Sequence, residues 1–231
     1  MLFRSNGKPG HVKQARPRDR IVMTGGRIGK DGIHGATFSS EELHEGSPAT
    51  AVQIGDPITQ KRMTDFLLVA RDRGLYSSIT DNGAGGLSSS VGEMARESGG
   101  ARLLLDRAPV KYPGLQPWEI LLSEAQERMT VAVPPEKLDE FLSLAAAMDV
   151  EATDLGEFTD DGVFTVYWKD RVAAALPLDF LHDGLPRMEL TAHWEPPVHE
   201  EPSPELPSDL TAALMNLMGR WNICSKERLI R

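Results

Sequence analysis

The sequence contains one cysteine, Cys224, among 231 residues. One cysteine cannot form an intrachain disulfide, and it cannot supply the several thiolates of a structural zinc site. A chain without disulfides suits a reducing compartment, so we expect a cytoplasmic protein. No apolar run reaches the roughly 18 to 20 residues that span a bilayer, and the first residues lack the apolar core of a secretory signal. We therefore expect neither a membrane anchor nor export.

Positive charge is also scarce, since the formal net charge is -9. Nucleic acids and anionic membranes attract basic surfaces, so neither is an expected partner. The chain is 40% hydrophobic and 26% charged, a mixture typical of globular proteins. Its length allows one large domain or two small ones.

Four segments are predicted along the chain. Residues 1–19 are a basic, flexible lead-in, and residues 20–190 alternate between strand and helix periodicity, which predicts a domain built from both strands and helices. Residues 191–208 are a connector rich in proline and glutamate, and residues 209–231 carry an amphipathic helix that we expect to be the truncated start of another domain.

The spacing of hydrophobic residues and the positions of glycine and proline predict the strands and helices of this domain. Strands are expected over 20–24, 76–80, 102–105, 129–133, 151–158, 163–168 and 172–176, and helices over 56–73, 88–98, 117–125, 134–148 and 179–182. The unit formed by 129–133, 134–148 and 151–158 would require a right-handed crossover if its strands are parallel neighbours.

A glycine-dense loop, Gly25 to Phe38, follows the first predicted strand. Glycines allow backbone N–H groups to converge on an anion, and basic side chains within the loop add charge. The loop matches neither the Walker nor the Rossmann spacing. Phosphate binding and a purely structural turn both remain open; the candidate phosphate contacts are Gly25, Gly26, Arg27, Gly29 and Lys30.

Asp81 follows a predicted strand and precedes a second glycine-rich turn. Ligands approach the ends of strands in α/β sheets, and magnesium prefers one or two carboxylates together with phosphate and water oxygens. Asp81 is therefore a candidate magnesium ligand. The alternative is an Asx turn, in which the aspartate side chain stabilises its own loop.

Amide and carboxylate side chains cluster at two predicted helix boundaries. Gln53 and Asp56 precede the helix over 56–73, whereas Glu124 and Gln126 follow the helix over 117–125. Such groups suit amide, hydroxyl or ribose groups of a ligand, although helix capping explains Asp56 more simply. The histidines of the domain have no nucleophile and acid in a triad-like context, so no catalytic residue is predicted.

Five runs in one order carry a family resemblance: GGRIGKDGIHGATF, AVQIGDPITQK, ITDNGAGGLSSSVGEM, KYPGLQPWEILLSEAQERM and DFLHDGLP. They resemble the large, synthetase subunit of the phosphoribosylformylglycinamidine synthase family, between residues 25 and 187. The match lies on the second domain of the first half of that subunit. The resemblance implies an α+β fold with a mixed sheet and packed helices, like the C-terminal domain of aminoimidazole ribonucleotide synthetase.

The resemblance also implies an activity and a set of ligands. The family is an ATP-dependent ligase that converts formylglycinamide ribonucleotide and glutamine-derived ammonia to the amidine, with Mg²⁺ and ATP as cofactors. Its partners include a glutaminase domain or subunit and a small accessory subunit. Gln53 and the run Glu124, Ala125 and Gln126 match substrate-contacting positions, with Ala125 standing where serine is usual, and Asp81 matches a magnesium ligand.

In the family the catalytic histidine belongs to the preceding domain, so the fragment alone is expected to be inactive. Two alternatives to the ligase remain open. One is a sister kinase of the same superfamily, which would need neither ammonia nor glutamine. The other is a nucleotide-binding regulatory module without catalysis.

Overall fold

The structure is a computed structural model that describes residues 14–35, 52, 54–196, 198, 202–203, 205 and 207–227. The chain divides into two compact units, Met1–Arg187 and Met188–Arg231, each described by itself. No helix among the described residues has the length and the apolar character needed to cross a bilayer.

A seven-stranded mixed sheet forms the centre of the first unit. Its strands are β1 (Arg20–Gly25), β2 (Ser78–Asp81), β3 (Gly100–Leu104), β4 (Arg128–Val133), β5 (Ala152–Thr159), β6 (Val163–Trp168) and β7 (Arg171–Pro177), in the spatial order β2-β4-β1-β5-β3-β6-β7. The β3–β6 pair is parallel, whereas each other neighbouring pair is antiparallel. The predicted α+β class with a mixed sheet is thereby confirmed.

Within the described residues, five helices pack on this sheet: α1 (Pro57–Asp72), α2 (Gly86–Ser98), α3 (Pro117–Leu122), α4 (Leu138–Ala147) and α5 (Leu178–Asp183). The predicted cap of α1 is confirmed, because the Asp56 carboxylate accepts hydrogen bonds from the N–H groups of Ile58 and Thr59 at 3.1 and 3.3 Å. Pro57 occupies the first turn, where its missing N–H costs no helical hydrogen bond.

The sheet is buried on both faces at its inner strand β1. Ile21 and Met23 of β1 join a core with α2, α3 and α5, whereas Val22 points to the other face and joins a core with α1 and α4. On that second face Phe66 and Phe141 meet edge to face, with ring centroids 5.0 Å apart. Burial on both sides explains why β1 reads as an unbroken apolar run instead of an alternating strand.

The predicted elements agree with the observed ones except at their ends. The helix expected over 117–125 ends at Leu122, since the backbone becomes extended at Ser123. The helix expected over 134–148 begins with a separate 3₁₀ turn, Pro135–Lys137. Strands β4 and β5 both pair with β1 and lie on opposite sides of it, so they are not neighbours and the crossover condition does not arise.

The second unit contains one described helix, α6 (Thr211–Gly219), within its described residues. Asp209 accepts a hydrogen bond from the Thr211 N–H at 2.8 Å, which ties the residue before the helix to its first turn. Leu214 and Leu217 of α6 are 56% and 43% exposed.

Candidate functional site

Four adjacent strands bring the predicted site segments to one edge of the sheet. Strands β1 and β2 end at this edge, whereas β4 and β5 begin there. Asp81, Met129, Thr24 and Ala152 lie opposite one another in a single cross-strand row, and Gly25 pairs with Arg128 one step further out. With strands about 4.8 Å apart, the row spans roughly 15 Å.

A cleft of about 330 Å³ opens at this edge. Its walls come from segments far apart in the chain: Gly25–Arg27, Ile54–Asp56 with the first turns of α1, Lys111, Gln126–Glu127 and Asp149–Glu151. The volume lies in the range of small-molecule sites, which is about 300 to 1,000 Å³. We call this cavity the edge cleft. Of the predicted site residues it includes Gly25, Gly26, Arg27 and Gln126.

The charged side chains of the glycine loop are already paired inside the protein. Arg27 Nε lies 2.8 Å from Glu151 Oε2, and this hydrogen bond raises the pKa of Arg27. Lys30 Nζ lies 3.0 Å from Glu119 Oε1, away from the cleft lining. The pKa of Glu119 is lowered, first by the Gln116 N–H and then by Lys30. The basic groups of this loop therefore balance local carboxylates.

Backbone amides of the same loop are used internally as well. The N–H of Gly25 donates to the Glu151 carbonyl and that of Gly26 to the Glu127 carbonyl, both at 2.9 Å. Ile28 forms a bridge with Val110, outside the main strands. The loop is thus held to its neighbours by hydrogen bonds, and an anion would have to compete with them.

Gly25 is required by its conformation and its surroundings. It has φ +102°, a region that L side chains rarely adopt, and a Cβ there would lie 2.1 Å from the Glu127 carbonyl oxygen. This close approach lets the end of β1 and the segment Gln126–Glu127 form adjacent walls of the edge cleft.

The segment Ser123–Glu127 separates the predicted substrate residues by environment. Glu124 is 4% exposed, and its Oε1 accepts the Gly85 N–H at 3.0 Å, so it supports the glycine turn after β2. Ala125 is 1% exposed. Gln126 is half-buried, donates from Nε2 to the Glu124 carbonyl at 2.9 Å and lines the cleft. Gln53 lies outside the described residues.

Asp81 forms the Asx turn that the sequence allowed as the alternative to a magnesium ligand. Its Oδ1 accepts the Gly83 N–H at 2.9 Å, and the residue is exposed. Within the described part of the chain, no group of three or more metal-binding side chains is close enough to hold an ion. A single carboxylate suits a magnesium ion whose remaining ligands are phosphate and water oxygens. Asp81 fits that kind of site.

Further residues also shape the edge cleft. Glu127 has φ +55°, unusual for a residue with a side chain, and lies directly after Gln126. Arg62 of α1 donates to Asp149 across the cleft wall. Arg128, 3% exposed, lies behind the segment Ser123–Glu127. No sequence pattern predicts the positive φ of Glu127 or the pairing of Arg62 with Asp149, which are 87 residues apart. For Arg128 the sequence offered one indication, a charged residue next to an apolar strand.

The sheet and its edge cleft define an α+β domain with a cleft of small-molecule size at the ends of its inner strands. Residues 16–169 match the family described as AIR synthase related protein, C-terminal domain, and the chain belongs to this family. The resemblance seen in the sequence is confirmed at this level.

Two curated relatives carry the name of one enzyme subunit. The chain is 41% identical over 211 residues to phosphoribosylformylglycinamidine synthase subunit PurL of Methanopyrus kandleri, covering 87% of the chain and 28% of that protein. It is 37% identical over 219 residues to the PurL subunit of Methanosarcina mazei, covering 92% of the chain and 30% of that protein. The chain thus spans less than a third of the length of these relatives.

Solved structures agree with the fold. T. maritima PurL complexed with FGAR superposes with a TM-score of 0.74 at 33% identity, over 83% of this chain and 32% of that one. T. maritima PurL complexed with ATP gives a TM-score of 0.71 at 27% identity, over 92% of this chain and 33% of that one. PurLQS from Thermotoga maritima gives 0.69 at 29% identity, over 84% and 30%.

Proposed function

We propose that this chain is part of a phosphoribosylformylglycinamidine synthase, the ATP-dependent ligase that converts formylglycinamide ribonucleotide (FGAR), ammonia and ATP to the amidine, ADP and phosphate. In this proposal the domain over residues 20–190 binds substrate, residues 191–208 are a linker, and residues 209–231 begin the next domain. Residues 1–19 are its basic lead-in, but the described end of this stretch packs on the domain, since Ala15 and Asp19 are buried. The relatives named PurL and the solved PurL complex with FGAR support the proposal.

FGAR is proposed to occupy the edge cleft. The observation that carries this assignment is the convergence of Gly25–Arg27 and Gln126 on one cavity at the ends of the central strands. Gln126 offers an amide that can both donate and accept, which suits the amide and ribose hydroxyl groups of FGAR. Gln53 lies two residues before Gly55, a cleft residue, and we assign it a matching role.

Glu124 and Ala125 take supporting roles in this proposal. Both are buried, and Glu124 holds the Gly85 turn through its carboxylate. An alanine at 125 supplies no hydroxyl, so the substrate contact expected there from the resemblance falls to backbone groups or to Gln126. Substrate recognition on this segment therefore rests mainly on Gln126.

The phosphate of FGAR is proposed to bind beside Gly25, Gly26 and Arg27, with Gly29 and Lys30 behind them. Arg27 would exchange its ion pair with Glu151 for the phosphate, and an arginine that is more than half exposed can reorient at low cost. The cleft also contains Asp56, Glu127 and Asp149, so it is not strongly electropositive. Affinity must therefore come from directed hydrogen bonds more than from long-range attraction.

Magnesium and ATP are proposed to bind near Asp81, at the β2 end of the same sheet edge. The T. maritima PurL complex with ATP supports a nucleotide in the complete enzyme. We expect Asp81→Asn to keep the Asx turn and the melting temperature, because asparagine forms such turns nearly as well as aspartate. Magnesium-dependent nucleotide binding should be lost, since the neutral amide is a poor ligand for a hard cation. An unchanged magnesium titration would remove Asp81 from the site.

Ammonia is proposed to come from a glutaminase domain or subunit, with a small accessory subunit completing the assembly in the cytoplasm. The solved PurLQS structure from Thermotoga maritima supports an assembly of this kind. We assign no catalytic residue within this chain, and no nucleic acid or membrane partner.

Calorimetric titration of FGAR into the purified 231-residue chain tests the central assignment. The expected result is saturable binding that Gln126→Ala weakens about ten-fold, as for loss of one or two buried hydrogen bonds. Gln60→Ala is the matched control, since Gln60 is exposed on α1 and does not line the cleft. Binding of a nucleotide without binding of FGAR would favour the sister kinase or the regulatory module.

A further inference from the structure

Arg128 is a buried arginine at the first position of β4, beneath the edge cleft. Its side chain is anchored by main-chain oxygens: Nε donates to the Ala125 carbonyl at 2.7 Å, and Nη2 donates to the Ser123 carbonyl at 2.5 Å. Nη1 lies 3.8 Å from the sulfur of Met23. The planar guanidinium therefore holds two alternate carbonyls of one short segment at the same time.

Among the described residues, no carboxylate forms an ion pair with Arg128, although Asp31 exerts a favourable field from further away. Burial lowers the pKa of Arg128 to about 10. Holding a desolvated cation in this way is costly. A role in packing alone could be served by an apolar side chain, which would avoid that cost.

Arg128 also connects three segments that the sequence placed in the candidate site. Its side chain holds Ser123–Glu127, and its backbone carbonyl accepts the Asn82 N–H at 3.1 Å, one residue after Asp81. Across the β1–β4 ladder it lies opposite Gly25. One residue thus contacts the substrate segment, the Asp81 turn and the end of the strand that leads into the glycine loop.

We propose that Arg128 is a positioning residue, which fixes the segment Ser123–Glu127 against Gly25–Gly26 and thereby sets where Gln126 and Glu127 stand in the edge cleft. The effect on FGAR rests on the function proposed above, whereas the effect on the segment does not. Lysine cannot replace it, because an ammonium lacks the planar fork that reaches both carbonyls in fixed geometry.

Three amides report on this segment directly, because their acceptors belong to it. Gly26 N–H donates to the Glu127 carbonyl, Gly85 N–H to the Glu124 carboxylate and Ala125 N–H to Ser123 Oγ. Val150 N–H, which donates to the Ala145 carbonyl at the end of α4, is the reference amide outside the segment.

Hydrogen exchange of the 231-residue chain carrying Arg128→Lys is the first test. The three reporter amides should exchange about ten-fold faster than in the unchanged chain, while Val150 keeps its rate, as expected for local opening. Arg102→Lys is the matched control, since Arg102 is half exposed on β3 and pairs with Asp161 at 3.3 Å. Equal acceleration of every amide, or of none, would overturn the positioning role.

If Arg128→Lys does not fold, exchange in the unchanged chain at increasing urea replaces it. The reporter amides of Gly26, Gly85 and Ala125 should then open as one unit, with one free energy and one urea dependence. Independent opening of the three would overturn the proposal.

FGAR titration is the second test. The unchanged chain and Arg102→Lys should bind with the same affinity, whereas Arg128→Lys should bind at least about ten-fold more weakly. Millimolar methylguanidinium should restore binding to Arg128→Gly and have no effect on Arg102→Gly, a response that general loss of stability would not produce. If the exchange pattern holds but the unchanged chain does not bind FGAR, the proposed function fails and the positioning role stands. Full affinity in folded Arg128→Lys would separate Arg128 from ligand binding.

Discussion

Arginines in two regions of the same sheet have opposite surroundings. On the face near Tyr167, Arg20, Arg102 and Arg107 line a second cavity of about 240 Å³. Each pairs with carboxylates, for example Arg20 with Asp154 at 2.7 Å, and each stays in contact with solvent. At the edge cleft, Arg128 is 3% exposed and is held by backbone carbonyls.

The difference shows which of these charged side chains determine the local backbone structure. Exposed ion pairs are worth about 0 to 1 kcal/mol each, because water solvates the separated partners almost as well. A buried guanidinium that satisfies main-chain carbonyls cannot be replaced by water so easily, and its loss leaves those carbonyls unpaired. We therefore regard Arg102 and Arg107, each half exposed, as interchangeable charge and Arg128 as a determinant of local geometry.

Removing each arginine in turn should give the largest contrast. Arg128→Met is expected to lower the free energy of unfolding by about 2 to 4 kcal/mol, because two buried carbonyls lose their donor. Arg102→Met should cost less than about 1 kcal/mol. Urea denaturation at pH 7 measures both. Equal losses would mean that burial makes no difference between the two regions.

Two glycines sharpen the comparison with a smaller effect. Gly86 has φ +57°, and a Cβ there would lie 2.2 Å from the Ser123 carbonyl oxygen, so Gly86→Ala should cost about 2 to 3 kcal/mol through strain and a clash. Gly162 has φ +76° but nothing within 4 Å, so Gly162→Ala should cost only the strain of about 1 kcal/mol. Thermal unfolding of the two variants separates these contributions. A Gly162→Ala loss as large as that of Gly86→Ala would contradict the steric cost assigned to the close approach of Gly86 to the Ser123 carbonyl.

Salt should distinguish the surface arginines from Arg128. Arg102→Gln removes the partner of Glu157 and Asp161, and we expect a loss of about 0.5 to 1 kcal/mol at low ionic strength. Most of this loss should disappear near 1 M sodium chloride, where the Debye length is about 3 Å. Denaturation at both salt concentrations provides the measurement, and a loss independent of salt would argue for a packing defect.

The decline of the free energy of unfolding at low pH should give the smallest of the predicted effects. Burial alone would raise the pKa of Asp161, but hydrogen bonds from Thr159 and Val163 and the nearby Arg102 outweigh it and lower the pKa. A lowered carboxyl pKa contributes stability above the unfolded value of about 4 and loses it as the pH falls through the folded value. Asp161→Asn should therefore flatten the decline in stability below about pH 4. The neighbouring Asp160→Asn serves as control, and identical acid limbs in all three proteins would remove Asp161 from the account.

The comparison also shows how much of the fold could be predicted from the sequence. The predicted strands and helices agree with the observed ones apart from their ends, because a strand buried on both faces and helices with one apolar face leave clear periodic signals. Helix α3 ended three residues earlier than predicted, at Leu122, where its sequence carries no stop signal. Just after its end, the carbonyls of Ser123 and Ala125 accept hydrogen bonds from the Arg128 side chain, a contact with a residue outside the helix.

Candidate site residues divide in the same manner. Gly25, Gly26, Arg27 and Gln126 were predicted from local chemistry and line the edge cleft, whereas Gly29 and Lys30 do not. Gln53 lies outside the described residues, and the ligand roles of the others stay predictions. The cleft lining also includes residues that the sequence did not predict, namely Arg62, Asp149 and Glu151. Their positions depend on how β5 and α1 pack against β1.

The sequence by itself determined the family, the α+β class and the local turns, including the Asp56 cap and the Asx turn at Asp81, because these depend on residues close together in the chain. The tertiary structure alone decided that Gly25, Asp81 and Gln126 share one sheet edge, through the strand order β2-β4-β1-β5. It also decided that Arg27 is paired and Arg128 buried. Such contacts join residues up to 124 positions apart, and a local pattern carries no information about partners at that distance.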